Sequence, residues 1–204
     1  MELQSVWTHI GQAIAAMSWL EVAAVLAGLA YVILAARENI WCWLFGGLNG
    51  LLSVILFAQS KLYAESVLYV YYILAAGYGW YSWSKNGPAR ATLRIQRWSW
   101  GRHLRWIVLA LALSALLGWA LHRYTDAEYP VVDAHTTIFS FLATYLVTRK
   151  VLENWWYWIA IDAASVGLYS LRELYLYALL MAAYTLIAMG GWLEWRKHYR
   201  LQEY

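Results

Sequence analysis

Asp162 stands inside the apolar run NWWYWIAIDAASVGLYS (residues 154–170), with no Lys or Arg beside it. A carboxylate at the centre of a membrane helix costs roughly 2.5–3.5 kcal/mol on insertion scales, so such a residue usually faces a cavity and marks function. On a helix, Asn154, Trp158 and Asp162 follow at i, i+4 and i+8 and share one broad face. Asn49 and Ser53 share a face of an earlier apolar run, and Gln59 stands near the end of that run. Amides and hydroxyls also glue membrane helices together, so a structural role competes with ligand binding at these positions.

Aromatic side chains supply a second set of contacts. Glu65, Tyr69, Tyr72, Ala76, Gly79 and Trp83 form one helical stripe, and Tyr177, Tyr184, Ala188, Gly191 and Trp195 form another. An interfacial belt accounts for Trp80, Trp83, Trp192 and Trp195 by position alone. Tyr72 and Tyr184 lie deeper, where a phenol needs a partner. Indoles (Trp80, Trp83, Trp158), phenols (Tyr72, Tyr184), amides (Asn49, Gln59, Asn154) and one carboxylate together suit a flat, cationic ring with a polar appendage. Each aromatic face attracts a cation by roughly 0.5–2 kcal/mol. Sugars and neutral heterocycles fit such a set nearly as well. Catalysis is a weaker reading. His122 and His135, with Asp133 near the second, are the histidines of the 104–148 region, and neither His-x-x-x-His nor Gly-x-Ser-x-Gly occurs. The one cysteine, Cys42, gives neither a disulfide nor a metal-ligand spacing, and no cofactor is implied.

These residues need helices to position them. Of 204 residues, 63% are apolar and 13% charged, against about 25% charged in a soluble domain. That excludes a soluble enzyme, a disordered chain and a DNA-binding module. Apolar runs fall at 19–36, 41–58, 64–83, 104–121, 131–148, 154–170 and 174–193. They are too long for strands, lack a two-residue alternation and are rich in Leu and Ala. Backbone amides in hydrocarbon need internal partners, so seven transmembrane α-helices are expected. Numbering the connections by alternation puts twelve of the fifteen Lys and Arg on one side, leaving Lys61, Arg123 and Arg172 on the other. The positive-inside rule then places the N-terminus outside and the C-terminus in the cytoplasm. The basic stretch 85–105, despite its interleaved Trp98 and Trp100, reads as a lipid-facing cytoplasmic linker and gives no reason to invoke nucleic acid. No signal peptide is evident, because residues 1–18 carry no Lys or Arg; they read as an amphipathic lead-in on the outer surface.

The chain also resembles itself. KLYAESVLYVYYILAAGYGWYSW (61–83) aligns with ELYLYALLMAAYTLIAMGGWLEW (173–195) at an offset of 112, pairing Tyr72 with Tyr184, Gly79 with Gly191 and Trp83 with Trp195. Upstream, Asn39-x-Trp41-x-Trp43 aligns with Asn154-x-Trp156-x-Trp158 at 115, and Asn49 with Asp162 at 113. The expected plan is 3+1+3: an N-terminal lead-in (1–18), a three-helix repeat (19–83), a basic linker (84–103), a connecting helix (104–121), a second three-helix repeat (131–195) and a cytoplasmic tail (196–204). Repeats parallel in the membrane are a transporter design with substrate bound at their interface near the midplane.

With these motifs the chain resembles the PnuC family of vitamin transporters. The resemblance is carried by W-x-x-W at Trp80 and Trp83, by N-x-x-x-W at Asn154 and Trp158, and by the strings PVVDAHT (130–136), RKVLENW (149–155) and WIAID (158–162). It extends over nearly all of residues 19–196. The resemblance implies a SWEET-like 3+1+3 fold, often trimeric, in the cytoplasmic membrane of a bacterium. It also implies facilitated diffusion of nicotinamide riboside, trapped inside by phosphorylation for NAD salvage. Relatives of this kind carry thiamine, riboflavin or deoxynucleosides, so thiamine stands as the alternative cargo.

Overall fold

The computed structural model describes residues 3–59, 63–84, 93–125 and 129–202. Lys61, Lys85 and Arg90, and the side chain of Glu65, lie outside the described residues. Eight α-helices are described: α1 (Leu3–Ala16), α2 (Trp19–Ala36), α3 (Cys42–Gln59), α4 (Tyr63–Ser84), α5 (Trp100–Tyr124), α6 (Pro130–Thr148), α7 (Asn154–Leu171) and α8 (Tyr175–Leu201). Five of them, α2, α3, α5, α6 and α8, are long and apolar enough to cross a membrane. With 22 and 18 residues, α4 and α7 match the others in length. Their Tyr, Trp, Asn and Asp lower their mean hydropathy.

Local signals explain the helix ends. α2 starts in a capping box: the Glu21 N–H donates to Ser18 Oγ at 3.2 Å, and the Ser18 N–H donates to the Glu21 carboxylate at 2.6 Å. Pro130 opens α6, where its missing N–H costs nothing. α2, α6 and α7 each end with a left-handed residue, namely Glu38 (φ 53°), Lys150 (φ 49°) and Glu173 (φ 58°). The same closing bond follows each time, from Asn39 N–H to Leu34 O, Val151 N–H to Leu146 O and Leu174 N–H to Tyr169 O, at 2.9, 3.0 and 2.9 Å.

Helix pairing has an internal regularity. α2 packs on α3 and α3 on α4; α6 packs on α7 and α7 on α8; the two groups meet through α2 with α8 and α4 with α6. Exchanging α2, α3, α4 with α6, α7, α8 returns the same set of pairs. Outside it, α5 packs on α6 and α1 on α8. The α2–α3 turn, the α6–α7 turn, the segment entering α5 and the C-terminal part of α8 gather at one end, here the basic end. Glu38 reaches Lys150 and His198 there, and Gln96 pairs with Val151 in a short parallel bridge. The opposite end holds Arg172, 3.7 Å from Asp133 and stacked over Tyr129, and the His9–Tyr175 ring stack that seats α1.

The equivalence is detailed, and it revises the upstream alignment. Trp83 Nε1 donates to Val147 O at 3.3 Å and Trp195 Nε1 to Ala35 O at 3.0 Å. Gly79 lies against the Trp43 indole and Gly191 against the Trp155 indole. Each of these correspondences runs at 112, the separation of Glu38 from Lys150. Trp43 therefore matches Trp155, Asn49 matches Ile161, and Asp162 matches Gly50. The Trp-rich string NWWYW permits the false register, because a shift of three residues still lays indole on indole.

Candidate substrate-binding site

Midway along their helices, six elements bring polar groups to one place. From α3, Asn49 Nδ2 donates to Ala24 O of α2 at 2.8 Å. A Cβ built on Gly28 of α2 would lie 2.6 Å from the Tyr184 hydroxyl of α8 and 3.2 Å from Asn49 Nδ2, so both groups converge on that glycine. From α4, Tyr69 and Tyr72 meet edge to face at 5.4 Å, with Tyr69 beside Ser53 and Tyr72 beside Ser140 of α6. Asp162 of α7 lies within electrostatic reach of both Tyr72 and Tyr184. Its side chain is buried, and among the described residues it makes no hydrogen bond or ion pair.

The cluster is symmetric in shape and asymmetric in chemistry. Tyr72 and Tyr184 are equivalent, as are Gly28 and Ser140, so each tyrosine approaches a small residue of the other half. The amide of Asn49 faces no amide in return, because its counterpart is Ile161. The carboxylate of Asp162 has only Gly50 as counterpart. One half therefore offers an amide and the other a carboxyl group, a set that fits a ligand with a polar neutral end and a cationic end.

The other predicted residues sit elsewhere. Trp158, half-buried and one turn from Asp162, packs against the aromatic core at the basic end. Trp83 belongs to that core. Trp43 meets Trp83 at 5.2 Å, Trp155 meets Trp195 at 5.5 Å, and Trp83 meets Trp195 at 6.1 Å. Lys150 Nζ stands 4.6 Å over the Trp83 ring and 2.7 Å from Glu38, while Glu38 also pairs with His198 at 2.5 Å. Four indoles and an ion pair that crosses between the halves thus close the basic end. Asn154 is fully buried; its Nδ2 donates to Val151 O at 2.7 Å, and its Oδ1 has no partner among the described residues. Trp80 is exposed and packs edge-on against Trp41 at 5.5 Å. Gln59 is exposed at the end of α3. Asn49, Tyr72, Asp162 and Tyr184 are therefore brought together, Trp158 and Trp83 lie below them, and Trp80, Gln59 and Asn154 stand apart. Gly28 and Ser140 complete the cluster, and nothing in the sequence sets them apart from other small residues of the helices. No cluster of metal-ligating side chains occurs among the described residues.

Residues 18–197 match the nicotinamide mononucleotide transporter family. The nicotinamide riboside transporter PnuC of Escherichia coli is 30% identical over 88% of this chain and 85% of its own length. The riboflavin/roseoflavin transporter RibM of Streptomyces davaonensis is 21% identical over 87% of this chain and 84% of its own length. Among solved structures, the crystal structure of the vitamin B3 transporter PnuC aligns over 96% of this chain and 90% of its own, with a TM-score of 0.72 at 20% identity, which speaks to the fold. Those proteins are transporters, not enzymes, and a multi-pass helical membrane protein with a buried polar centre agrees with them. The chain belongs to the nicotinamide mononucleotide transporter family, the group that also contains PnuC.

Proposed function

We propose that this protein carries nicotinamide riboside across a bacterial cytoplasmic membrane by facilitated diffusion. The observation that carries the reading is Asp162, a buried carboxylate without a hydrogen-bond partner among the described residues, within electrostatic reach of two tyrosines. The pyridinium ring would sit near Asp162 with Trp158 beneath it, while Asn49 and Tyr184 would bond the carboxamide or ribose. The E. coli relative named as a nicotinamide riboside transporter supports this cargo over others. Seven spans in a 3+1+3 plan follow from counting α4 and α7 as membrane helices, which their length and the paired packing of the two halves support. The basic end then faces the cytoplasm. Alternating access would rock one three-helix half against the other, opening the plug of four indoles and parting Glu38 from Lys150. Nothing in the cluster besides Asp162 could carry a coupling proton, and phosphorylation inside the cell would keep the riboside from returning.

Isothermal titration of purified protein with nicotinamide riboside tests the site. Asp162→Asn should weaken binding at least tenfold, about 1.4 kcal/mol; unchanged affinity removes Asp162 from the site. Thiamine, another flat cation, satisfies the same logic, and the riboflavin/roseoflavin transporter among the relatives shows that cargo varies within this likeness. A competition panel of the three vitamins separates the readings.

A further inference from the structure

α5 packs along α6 and reaches α7 through the His103–Tyr157 contact, and beside that contact a groove remains between α5 and α7 with α6 as its floor. It encloses about 680 Å³ and includes none of the residues of the central cluster. Its two ends differ in chemistry. The deep part is walled mainly by Ile107, Phe139, Ala160, Ile161 and Ala164, with His135 and Thr136 of α6 also on its wall. The end at the basic side carries Arg97, Trp98, Trp100, His103, Glu153 and Tyr157. The outward residues of α5 beside it, Leu104, Val108 and Leu111, are exposed and apolar, so the groove opens towards hydrocarbon.

The polar end is a built site. Glu153 accepts from Arg97 Nε at 2.8 Å and from the Trp98 N–H at 3.3 Å. His103 is only 5% exposed, and its Nδ1 lies 2.9 Å from the Tyr157 hydroxyl. Among the described residues, His103 Nε2 is buried without a hydrogen bond, 3.6 Å from the nearer Glu153 oxygen. In the tautomer where the Tyr157 hydroxyl donates to Nδ1, the ring proton sits on Nε2, turned towards Glu153 but beyond hydrogen-bonding distance. The guanidinium of Arg102 lies 5.2 Å over the Trp98 ring at the rim. Both signs of charge, an idle donor and indole faces therefore meet at one end of an apolar slot.

We propose that this groove holds one membrane phospholipid whose headgroup carries a phosphate and a primary ammonium. The acyl chain would lie along Phe139, Ile161 and Ala164. The phosphate would accept from His103 Nε2 and from Arg102. The ammonium would approach Glu153 and the indole faces. A purely anionic headgroup matches the arginines and opposes Glu153, so the zwitterion is the better complement of a site that pairs its charges.

Native mass spectrometry tests this on the full-length protein, delipidated and reloaded with equal amounts of phosphatidylethanolamine, phosphatidylglycerol and phosphatidylcholine. The wild-type protein should retain one phosphatidylethanolamine per chain with at least fivefold preference over either competitor. Ala164→Trp fills the apolar part from an exposed position and should abolish retention, and His103→Ala should reduce it at least fivefold. The proposal is overturned if the wild type retains no lipid or retains all three equally. It is also overturned if Ala164→Trp, folded by its circular dichroism and melting curve, binds as the wild type does. The wild-type preference alone is decisive should either variant fail to fold.

Discussion

Gly28 sets how closely the two halves approach at the centre. A Cβ there would meet the Tyr184 hydroxyl at 2.6 Å, so Gly28→Ala should push the Tyr184 ring aside and lower riboside affinity several-fold. The penalty should shrink in a Tyr184→Phe background, where the colliding oxygen is gone. A double-mutant cycle on binding measures this coupling, and strict additivity would refute the contact. Asp162 was legible in the sequence because a carboxylate in an apolar helix is anomalous whatever surrounds it. Gly28 and Ser140 were not, since small residues recur throughout membrane helices for packing reasons. Trp80 and Trp83 show the same limit for aromatics. Three residues apart at a helix end, one is exposed and the other buried, and a belt or a core explains either from sequence alone.

At the scale of elements, close packing explains the paired glycines. Gly79 and Gly191 let α4 and α8 lie directly on the indoles of Trp43 and Trp155, both buried and both with an Nε1 unpartnered among the described residues. A methyl group at either site collides with a ring that has no room to turn. Gly79→Ala and Gly191→Ala should each destabilise the protein by about 1–3 kcal/mol, read as a lowered melting temperature in detergent. Effects of similar size at both sites are expected from their equivalence; a neutral Gly191→Ala would count against it. Apolar runs located the helices well: the run 19–36 is α2 as Trp19–Ala36, and 154–170 is α7 as Asn154–Leu171. They missed the polar extensions, because α5 begins at Trp100 and α8 continues to Leu201. Hydropathy marks the part of a helix that meets lipid, whereas the helix itself runs on wherever backbone bonds can continue.

For the whole molecule, the alternating access proposed above requires the basic end to open. Cys42, the one cysteine of the chain, is fully buried within the plug and serves as a natural reporter. Lys150→Met removes the charge that holds Glu38 across the halves while keeping the side chain over Trp83. Maleimide labelling of Cys42 should be faster in this variant than in the wild type, and an unchanged rate would show that the ion pair does not hold the plug closed. The self-similarity at an offset of 112 runs parallel to the matching contacts among α2, α3, α4 and among α6, α7, α8. The pairing of Glu38 with Lys150 was not legible in it, because equivalent positions in a repeat meet only when they lie beside the axis that relates the halves. The most direct test of a vitamin site at Asp162 is uptake of labelled nicotinamide riboside into proteoliposomes without any ion gradient. The wild-type protein should equilibrate the unaltered riboside across the bilayer and Asp162→Asn should slow its entry at least tenfold; equal rates in the two, or no uptake by the wild type, would contradict the account.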